Sequence, residues 1–371
     1  MTEFYLDNAA TARKNLVAIE AEAKFYREIN ANPLRGLYKK SVQATTGVNE
    51  ARRAILELVH ADKSYTVIFS RGTTEAINLV ANGLILGTDG FGVVSRDAKV
   101  VSDILSHHSN ILPWRQRYKN YVLSRDIEAD ADGADVISLT GVSNVTGECL
   151  IDRIKSMRLR HPEAILGVDG AQMVGHVDFD IKALMVDFVA FSGHKFGAPM
   201  GIGGLIIKKS LAAKLRPLNY GGEMVDAVAE DGTPTFADIP ERLEAGTLAA
   251  GAIFGLTEAA KAAKRRTNRG KSKNIAEKAA LKLRAVEKVK VLAANGLILT
   301  FQIEGVHPHD VAQILADQGV MVRAGWLCAE PYLRFRRWGP VVRASFSEED
   351  DETYVDALVE AVKKVRDEMG Y

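Results

Sequence analysis

Short apolar runs alternate with segments of helical spacing between residues 40 and 210, and this alternation limits the fold more than any other feature. Strands that alternate with helices predict an α/β fold with a mainly parallel sheet covered on both faces. Ligands of such sheets bind at the carboxyl ends of the strands. The predicted strands are residues 65–70, 91–95, 99–105, 135–140, 165–169, 187–191 and 205–207.

Five residues that can carry chemistry fall directly after predicted strands: Thr74, His107, Asn144, Asp169 and Lys195. A lysine that leaves a buried strand beside a glycine-rich turn has an amine whose pKa desolvation can lower, as a Schiff-base amine requires. An acid such as Asp169 at a strand end can hold a protonated ring nitrogen. The alternatives are an ordinary loop lysine and a helix-capping acid. One cofactor can need both an amine and an acid, so the presence of both residues favours a cofactor site over these alternatives.

The run RGTTE at residues 71–75 follows a predicted strand and opens a predicted helix. Free backbone N–H groups at a helix start bind phosphate, and the hydroxyls of Thr73 and Thr74 add donors. A helix cap without a ligand is the alternative. The sequence has no Walker-type motif and no dinucleotide fingerprint after a strand that would compete for this role.

Two motifs resemble those of one enzyme family: VDGAQ at residues 168–172 and FSGHK at residues 191–195. They are similar to motifs of the class V, fold-type I pyridoxal phosphate enzymes, and within these to SUF-type cysteine desulfurases and selenocysteine lyases. The resemblance runs from YLDNAA at residues 5–10 to VRAS at residues 342–345. It implies a mainly parallel sheet covered by helices, with a smaller α/β C-terminal domain. The large cofactor domain is expected at residues 12–250, and the small domain at residues 1–11 and 251–371.

The resemblance implies that pyridoxal 5′-phosphate is the cofactor. The implied cofactor-binding residues are Thr73, Thr74, His107, Asn144, Asp169, Gln172, Ser192, His194, Lys195 and Thr247. His107 is expected to stack on the cofactor ring and to assist proton transfer. His108 is the alternative, because the acid that usually precedes the histidine is Ser106 here.

The run RAGWLCAEP at residues 323–331 is similar to the family segment whose cysteine receives sulfur, which makes Cys328 the expected acceptor. Neighbouring arginines favour its thiolate. Trp326 and Leu327 replace a polar pair, a departure that changes either the activation of Cys328, with burial of the thiol and a raised pKa expected, or the acceptor that fits. The implied substrate-binding residues are Asn144, Arg323, Arg343 and Arg35. Arg35 lies in an NPLRG turn similar to one in the family, and an exposed loop arginine is the alternative.

The run EAGT at residues 244–247 is similar to a family segment in which Thr247 would reach the phosphate of the partner subunit's cofactor. The resemblance therefore implies a homodimer with shared active sites. Seven of the thirteen residues 261–273 are Lys or Arg. Without interleaved aromatic residues, this stretch indicates a solvated helix end rather than a nucleic-acid site.

Composition narrows the class of protein further. The 371 residues are 47% hydrophobic and 26% charged, with a net charge of +1, which indicates no general attraction to nucleic acid or membranes. Two cysteines are too few for a disulfide framework, and Cys149 is expected to be a small buried hydrophobe. No signal segment or membrane span is recognisable, so the cytoplasm is expected. The adjacent histidines 107 and 108 lack further ligands at metal-site spacing, so no metal is expected.

The sequence thus predicts a pyridoxal phosphate enzyme that takes sulfur from L-cysteine, carries it as a persulfide on Cys328 and passes it to an acceptor protein, as in iron–sulfur cluster assembly. Lys195, Cys328 and His107 are the expected catalytic residues. A selenocysteine lyase and a C–S lyase for a cysteine conjugate remain alternatives on the same fold. A catalytically silent docking scaffold is the alternative outside the enzymes, and an intact Lys195 speaks against it.

Overall fold

The computed structural model describes residues 2–267 and 274–369. The chain divides into two units. The large unit is Lys14–Gly141 and Ile151–Arg269, and the small unit is Met1–Arg13, Val142–Leu150 and Gly270–Tyr371. The sequence places the domain boundary near residue 250, and that boundary stays a prediction.

The strands of the described residues are β1 (Phe4–Tyr5), β2 (Tyr65–Ser70), β3 (Lys99–Asp103), β4 (Asn120–Ser124), β5 (Val136–Thr140), β6 (Ile165–Asp169), β7 (Phe188–Ser192), β8 (Gly203–Lys208), β9 (Val225–Val228), β10 (Pro234–Phe236), β11 (Val289–Asn295), β12 (Ile298–Ile303), β13 (Val320–Met321), β14 (Arg323–Gly325) and β15 (Val341–Ser345).

The α-helices are α1 (Leu16–Lys24), α2 (Lys39–Leu58), α3 (Thr73–Gly83), α4 (Leu112–Arg117), α5 (Ile127–Asp130), α6 (Ile151–Arg160), α7 (Ile181–Leu184), α8 (Lys209–Ala212), α9 (Ala250–Thr267), α10 (Ile275–Leu283), α11 (Pro308–Asp317), α12 (Glu330–Phe335) and α13 (Glu352–Met369). A π-helical turn, Phe25–Ile29, continues α1.

The large unit is built on a seven-stranded sheet in the order β2-β8-β7-β6-β5-β3-β4. Every neighbouring pair is parallel except the two that involve β8, which runs antiparallel to β2 and β7. The mainly parallel sheet expected from the sequence is therefore confirmed. The carboxyl ends of β2, β3, β5, β6 and β7 meet at one edge, because these strands share one direction.

Two glycines allow β8 to lie between β2 and β7. A Cβ on Gly203 would stand 2.4 Å from the Phe191 carbonyl oxygen, and one on Gly204 would stand 2.6 Å from that of Ile68. Both distances are too short for any side chain, so only glycine fits at these two positions. The close approach brings the end of β2 next to the end of β7, where the candidate residues begin.

The small unit contains a four-stranded sheet in the order β11-β12-β15-β14, and its neighbouring strands are antiparallel. Apolar residues of α10, α11 and α13 pack with this sheet in one buried cluster that includes Leu6, Phe301 and Leu358. Strand β1 pairs in parallel with β13. The N-terminal residues therefore belong to a core made mostly by the C-terminal third of the chain.

The structure corrects two expectations about local structure. Residues 91–95 form no strand and contribute only an isolated bridge between Val94 and Ile85. Cys149 is exposed rather than buried. The hairpin of β9 and β10 was not foreseen in this glycine- and aspartate-rich loop.

The basic stretch begins on α9. Lys261 forms ion pairs with Glu50 and Glu258 at 2.7 and 2.9 Å, as a solvated helix face would. Residues 268–273 of the stretch lie outside the described residues. No helix within residues 2–267 and 274–369 combines the length and the apolar character needed to cross a membrane.

Candidate active site

The start of α3 is joined to the end of β7 through one serine. Ser192 Oγ accepts a hydrogen bond from the Thr73 backbone N–H at 2.8 Å and lies 2.9 Å from Thr73 Oγ1. Gly72, just before the helix, has a φ of +148°, and a Cβ there would stand 2.9 Å from Ser192 Oγ. The sequence predicts Thr73 and Ser192 as separate cofactor contacts, and the structure brings them together.

His107 is fixed by the turn that follows it. Its Nδ1 accepts a hydrogen bond from the Ser109 backbone N–H at 3.1 Å, so Nδ1 carries no proton and the neutral ring has its proton on Nε2. Ser109 Oγ also lies 2.7 Å from Thr74 Oγ1, which connects this turn to the first turn of α3. Sequence reasoning missed Ser109, because a serine in a polar turn carries no specific signal.

Asp169 is a buried carboxyl group at the end of β6. Burial raises its pKa to about 6, which the nearby Lys195 charge opposes and the Asp103 charge reinforces. Its Oδ1 accepts a hydrogen bond from the Ala171 N–H at 3.0 Å. A buried carboxylate is stabilised by a positive charge beside it, so this position suits a protonated ring nitrogen or another cation.

Asp103 is a second buried acid, and the sequence reading missed it. It accepts hydrogen bonds from the Thr140 N–H at 2.7 Å and from Thr140 Oγ1 at 3.1 Å. Burial raises its pKa. Thr140 is the register partner of Asp169, so Asp103 fixes the strand end beside that acid.

Lys195 lies on a short 3₁₀ turn, Gly193–Lys195, directly after β7. His176 Nε2 lies 2.8 Å from the Lys195 carbonyl oxygen and donates to it. The neighbouring His194 is half-buried. Burial and the charges of Lys195 and Lys14 lower its pKa to about 4, so it is neutral at pH 7.

The remaining predicted residues of the large unit are more exposed. Gln172 is half-buried in the turn after Asp169, and Thr247 is exposed. Arg35 donates to Glu223 Oε2 at 3.0 Å and to the Val225 carbonyl oxygen at 2.7 Å. Arg35 therefore ties its loop to the start of β9.

A buried ion pair supports the segment that carries Thr247. Arg52 makes a bidentate contact with Glu244 at 2.8 and 2.6 Å, and its guanidinium lies 4.6 Å from the Phe69 ring centroid. Glu244 also accepts from the Phe69 N–H at 2.5 Å. Burial raises the pKa of Glu244, and Arg52 opposes that shift. Sequence reasoning did not find this pair, whose members lie 192 residues apart.

Arg52→Met is expected to lower the free energy of unfolding by about 3–5 kcal/mol, because Glu244 would remain buried without its partner. Urea unfolding of the variant measures the loss. Arg27→Met is the matched control, since Arg27 pairs with Glu20 on the surface and should change stability by less than about 1 kcal/mol. Equal losses in the two variants would contradict the assignment of a supporting role to the buried pair.

In the small unit, Arg343 is buried on β15. Its Nη2 donates to Asp7 Oδ1 at 3.1 Å, and its Nη1 donates to the Asn144 carbonyl oxygen at 3.0 Å. No group among the described residues accepts a hydrogen bond from its buried Nε. Burial lowers the pKa of Arg343, which Asp7 opposes. A buried guanidinium with an unused donor is suited to bind a carboxylate.

Cys328 lies on a tight turn closed by a hydrogen bond from the Ala329 N–H to the Trp326 carbonyl oxygen at 2.9 Å. Leu327 and Cys328 both have a φ of +53°. This left-handed conformation costs a non-glycine residue about 1–2 kcal/mol. Cys328 is exposed, so the expectation that Trp326 and Leu327 would bury the thiol is wrong. Leu327 itself is buried, and Trp326 stacks against Arg334 at 4.6 Å.

Arg323 pairs in register with Arg343 across β14 and β15 and is exposed. Asn144 is buried, and its Nδ2 donates to the Leu327 carbonyl oxygen at 2.9 Å. Asn144, Arg323, Cys328 and Arg343 thus belong to one unit, although they come from distant parts of the sequence. Among the described residues, no three His, Cys, Asp or Glu side chains are arranged to hold a metal ion.

Comparison with known proteins gives consistent matches over almost the whole chain. The family model described as aminotransferase class-V matches residues 4–358. A probable cysteine desulfurase of Halalkalibacterium halodurans is 35% identical over 99% of this chain and 94% of its own. One from Staphylococcus aureus is 32% identical over 99% of this chain and 93% of its own.

Two solved structures agree with these matches. The apo cysteine desulfurase of Thermococcus onnurineus has a TM-score of 0.88 at 30% identity, covering 98% of this chain and 94% of its own. The Escherichia coli cysteine desulfurase CsdA has a TM-score of 0.85 at 30% identity, covering 98% of this chain and 95% of its own. The chain therefore belongs to the aminotransferase class-V family, among relatives that are named cysteine desulfurases.

Proposed function

We propose that the protein is a pyridoxal phosphate-dependent cysteine desulfurase that converts L-cysteine to L-alanine and carries the sulfur as a persulfide on Cys328. The observation that carries this proposal is the presence, in one unit, of an exposed cysteine and a buried arginine whose Nε has no hydrogen-bond partner within residues 2–267 and 274–369. The buried arginine can bind the substrate carboxylate, and the exposed cysteine can accept the substrate sulfur. The names of the relatives support the same activity.

The residues of the large unit fit pyridoxal phosphate. The buried Asp169, whose pKa burial raises, suits a protonated ring nitrogen. Lys195 offers an amine for the carbonyl group. The start of α3, with Thr73, Thr74 and Ser192, offers backbone N–H groups and hydroxyls for the phosphate. When bound, the cofactor supplies an acceptor for the electrons that would otherwise remain on the substrate's Cα.

Each protein group then has a defined task. We assign to Lys195 the covalent attachment of the cofactor and the movement of the α-proton of the substrate. Asp169 keeps the ring nitrogen protonated. His107, whose Nδ1 is occupied by the Ser109 N–H, would stack on the ring, and His194, neutral at pH 7, and Gln172 would be further cofactor contacts.

We assign binding of the substrate carboxylate to Arg343, with Arg323 and Asn144 of the same unit. Arg35 of the large unit stays a predicted substrate-binding residue. The Cys328 thiolate attacks the substrate sulfur, an S–S bond forms, and the Cβ–S bond breaks. The electron pair of the broken bond stays with the carbon fragment, which gains protons and leaves as alanine. The persulfide then passes its outer sulfur to an acceptor protein. Thr247 would contact the phosphate in a partner subunit, so the proposal includes a homodimer.

The direct test is incubation of the cofactor-loaded protein with cysteine, cystine or selenocysteine, followed by measurement of alanine and pyruvate. Alanine in amounts equal to the sulfur released from cysteine, with added sulfur on Cys328 by mass spectrometry, is expected. Pyruvate as the main product would overturn the proposal.

Thr247→Ala is expected to weaken cofactor retention by about 1–3 kcal/mol, the contribution of one hydrogen bond to a charged phosphate. Equilibrium dialysis against free cofactor measures this change. Thr235→Ala, at an exposed threonine of β10, is the control and should retain cofactor normally. A Thr247→Ala protein with unchanged retention, or a fully active monomer at high dilution, would contradict the shared site.

Asp169→Asn is expected to change stability and cofactor binding in opposite directions. The folded-state pKa of Asp169 is about 6, above the ordinary aspartate value of 3.8, so the wild-type protein loses stability as the pH rises from about 4 to about 6. Above pH 6 the cofactor-free variant should be more stable than wild type, by up to about 3 kcal/mol, and near pH 4 the two should match. Urea unfolding across this range measures the difference.

In the same variant, cofactor binding should weaken, because an amide cannot balance the charge of the ring nitrogen. A cofactor-free Asp169→Asn protein with the pH dependence of wild type would show that the carboxyl group is not the buried charge described here.

A further inference from the structure

Residues 142–150 are held by hydrogen bonds within the small unit. Thr300 Oγ1 donates to the Val145 carbonyl oxygen at 2.5 Å, and Asn295 Nδ2 donates to that of Thr146 at 2.6 Å. Ser143 Oγ accepts from the Thr146 N–H at 3.1 Å. These hydrogen bonds flank Asn144 on both sides and restrain its backbone, which limits the positions that its side chain can take.

Asn144 contacts two different functional groups from that position. Its carbonyl oxygen accepts from Arg343 Nη1 at 3.0 Å, and its side-chain amide donates to the Leu327 carbonyl oxygen at 2.9 Å. Leu327 precedes Cys328 in the tight turn. One buried residue therefore fixes both the direction of the arginine and the peptide group next to the cysteine.

The turn needs such a contact because its two central residues adopt a conformation that they do not favour. Leucine and cysteine at a φ of +53° relax towards negative φ unless the surrounding structure prevents it. The hydrogen bond that closes the turn runs from the Ala329 N–H to the Trp326 carbonyl oxygen and does not involve the Leu327 carbonyl oxygen. Of the described contacts, the Asn144 amide alone holds the Leu327 carbonyl oxygen from outside the turn.

We infer that Asn144 is a positioning residue for Cys328: its side-chain amide holds the Leu327 carbonyl oxygen, keeps the turn left-handed and presents the thiol in a fixed direction relative to Arg343. This inference rests on the proposed desulfurase function for its consequence, persulfide formation. Its structural part is independent of that function. The contact to Leu327 is additional to the cofactor and substrate contacts that the resemblance implies for Asn144.

The test compares Asn144→Ala and Asn144→Asp with wild type in the cofactor-loaded protein. Neither substituted side chain can donate to Leu327. Exchange of the Ala329 amide hydrogen, measured by mass spectrometry at single-residue resolution, should accelerate about tenfold, because the turn opens more often. The rate at which persulfide forms on Cys328 should fall about tenfold or more, because a displaced nucleophile reacts poorly.

Two controls separate positioning from general loosening. Asn295→Ala removes another amide contact to residues 142–150 without touching the turn, and should leave Ala329 exchange unchanged. In the Asn144→Ala background, Leu327→Gly should restore most of the slow exchange, because glycine adopts positive φ without cost. Leu327→Ala removes the same buried side chain and should restore nothing.

The possible outcomes distinguish failure of the inference about Asn144 from failure of the proposed function. Unchanged Ala329 exchange in both Asn144 variants, faster exchange of equal size in Asn295→Ala, or equal rescue by Leu327→Gly and Leu327→Ala would overturn the inference. If the wild-type protein forms no persulfide, the proposed function fails, but the exchange measurements still decide whether Asn144 holds the turn. If Asn144→Ala does not fold, Asn144→Asp and its Leu327→Gly double variant provide the same comparison.

Discussion

Replacement of Lys195 by alanine is expected to abolish alanine production from cysteine, with a loss greater than about 10⁴-fold, because covalent attachment and proton movement are both removed. The fold should survive. Lys195 is only half-buried, so its truncation leaves no large apolar cavity, and the hydrogen bond from His176 to its backbone carbonyl oxygen does not depend on the side chain. Unfolding of the variant in urea should therefore resemble that of wild type.

Reduction with borohydride followed by mass spectrometry identifies the lysine that carries the cofactor. Wild type should show the modification on Lys195 and the variant should show none. Lys209→Ala is the matched control, because Lys209 is exposed on α8 and should leave both attachment and turnover unchanged. A modified lysine elsewhere in the Lys195→Ala protein, with turnover retained, would refute the assignment.

Cys328→Ala is expected to retain bound cofactor and to lose most alanine production from cysteine. A desulfurase needs a nucleophile that attacks the substrate sulfur, whereas a lyase that eliminates sulfide needs none. The exposed position of Cys328 on its turn suits the first reaction. Selenocysteine turnover should fall less, because selenium leaves more readily than sulfur.

Cys149→Ala provides the matched control for this experiment, since Cys149 is also exposed and also belongs to the small unit. It should keep full activity and a persulfide on Cys328. Intact cysteine turnover in Cys328→Ala, with sulfide as the product and no added sulfur on either cysteine in wild type, would identify a lyase instead.

Continuous apolar runs made the large unit predictable from sequence. Tyr65–Ser70 and Ile165–Asp169 are strands with the predicted bounds, because both are buried on the sheet and end in polar turns. The strand predicted at residues 91–95 is wrong because apolar residues form a strand only where a neighbouring strand pairs with them, and here only one isolated bridge forms. The β9–β10 hairpin was missed because its strands are short, largely exposed and set among turn residues.

The site was predictable in its residue types and not in its contacts. Strand ends identified Asp169, Lys195 and the start of α3, because parallel strands bring their ends to one edge. Asp103 was missed because the predicted strand 99–105 runs past it, whereas the observed strand β3 ends at this residue. The role of Asn144 in the Cys328 turn was missed because it depends on a hydrogen bond across 183 residues and on two unexpected left-handed residues.

The composition of the small unit determines when it can fold during synthesis, because it combines the first residues of the chain with the last. Its Asp7 contacts Arg343 across 336 residues, whereas the strands of the large-unit sheet are all complete by Lys208. At about 5–20 residues per second, the ribosome takes roughly 20–70 seconds to supply that partner. During this time the first strand and Leu6 have no core to join. The N-terminal segment with Leu6 therefore stays without its core until the last strands of the small unit have been synthesised.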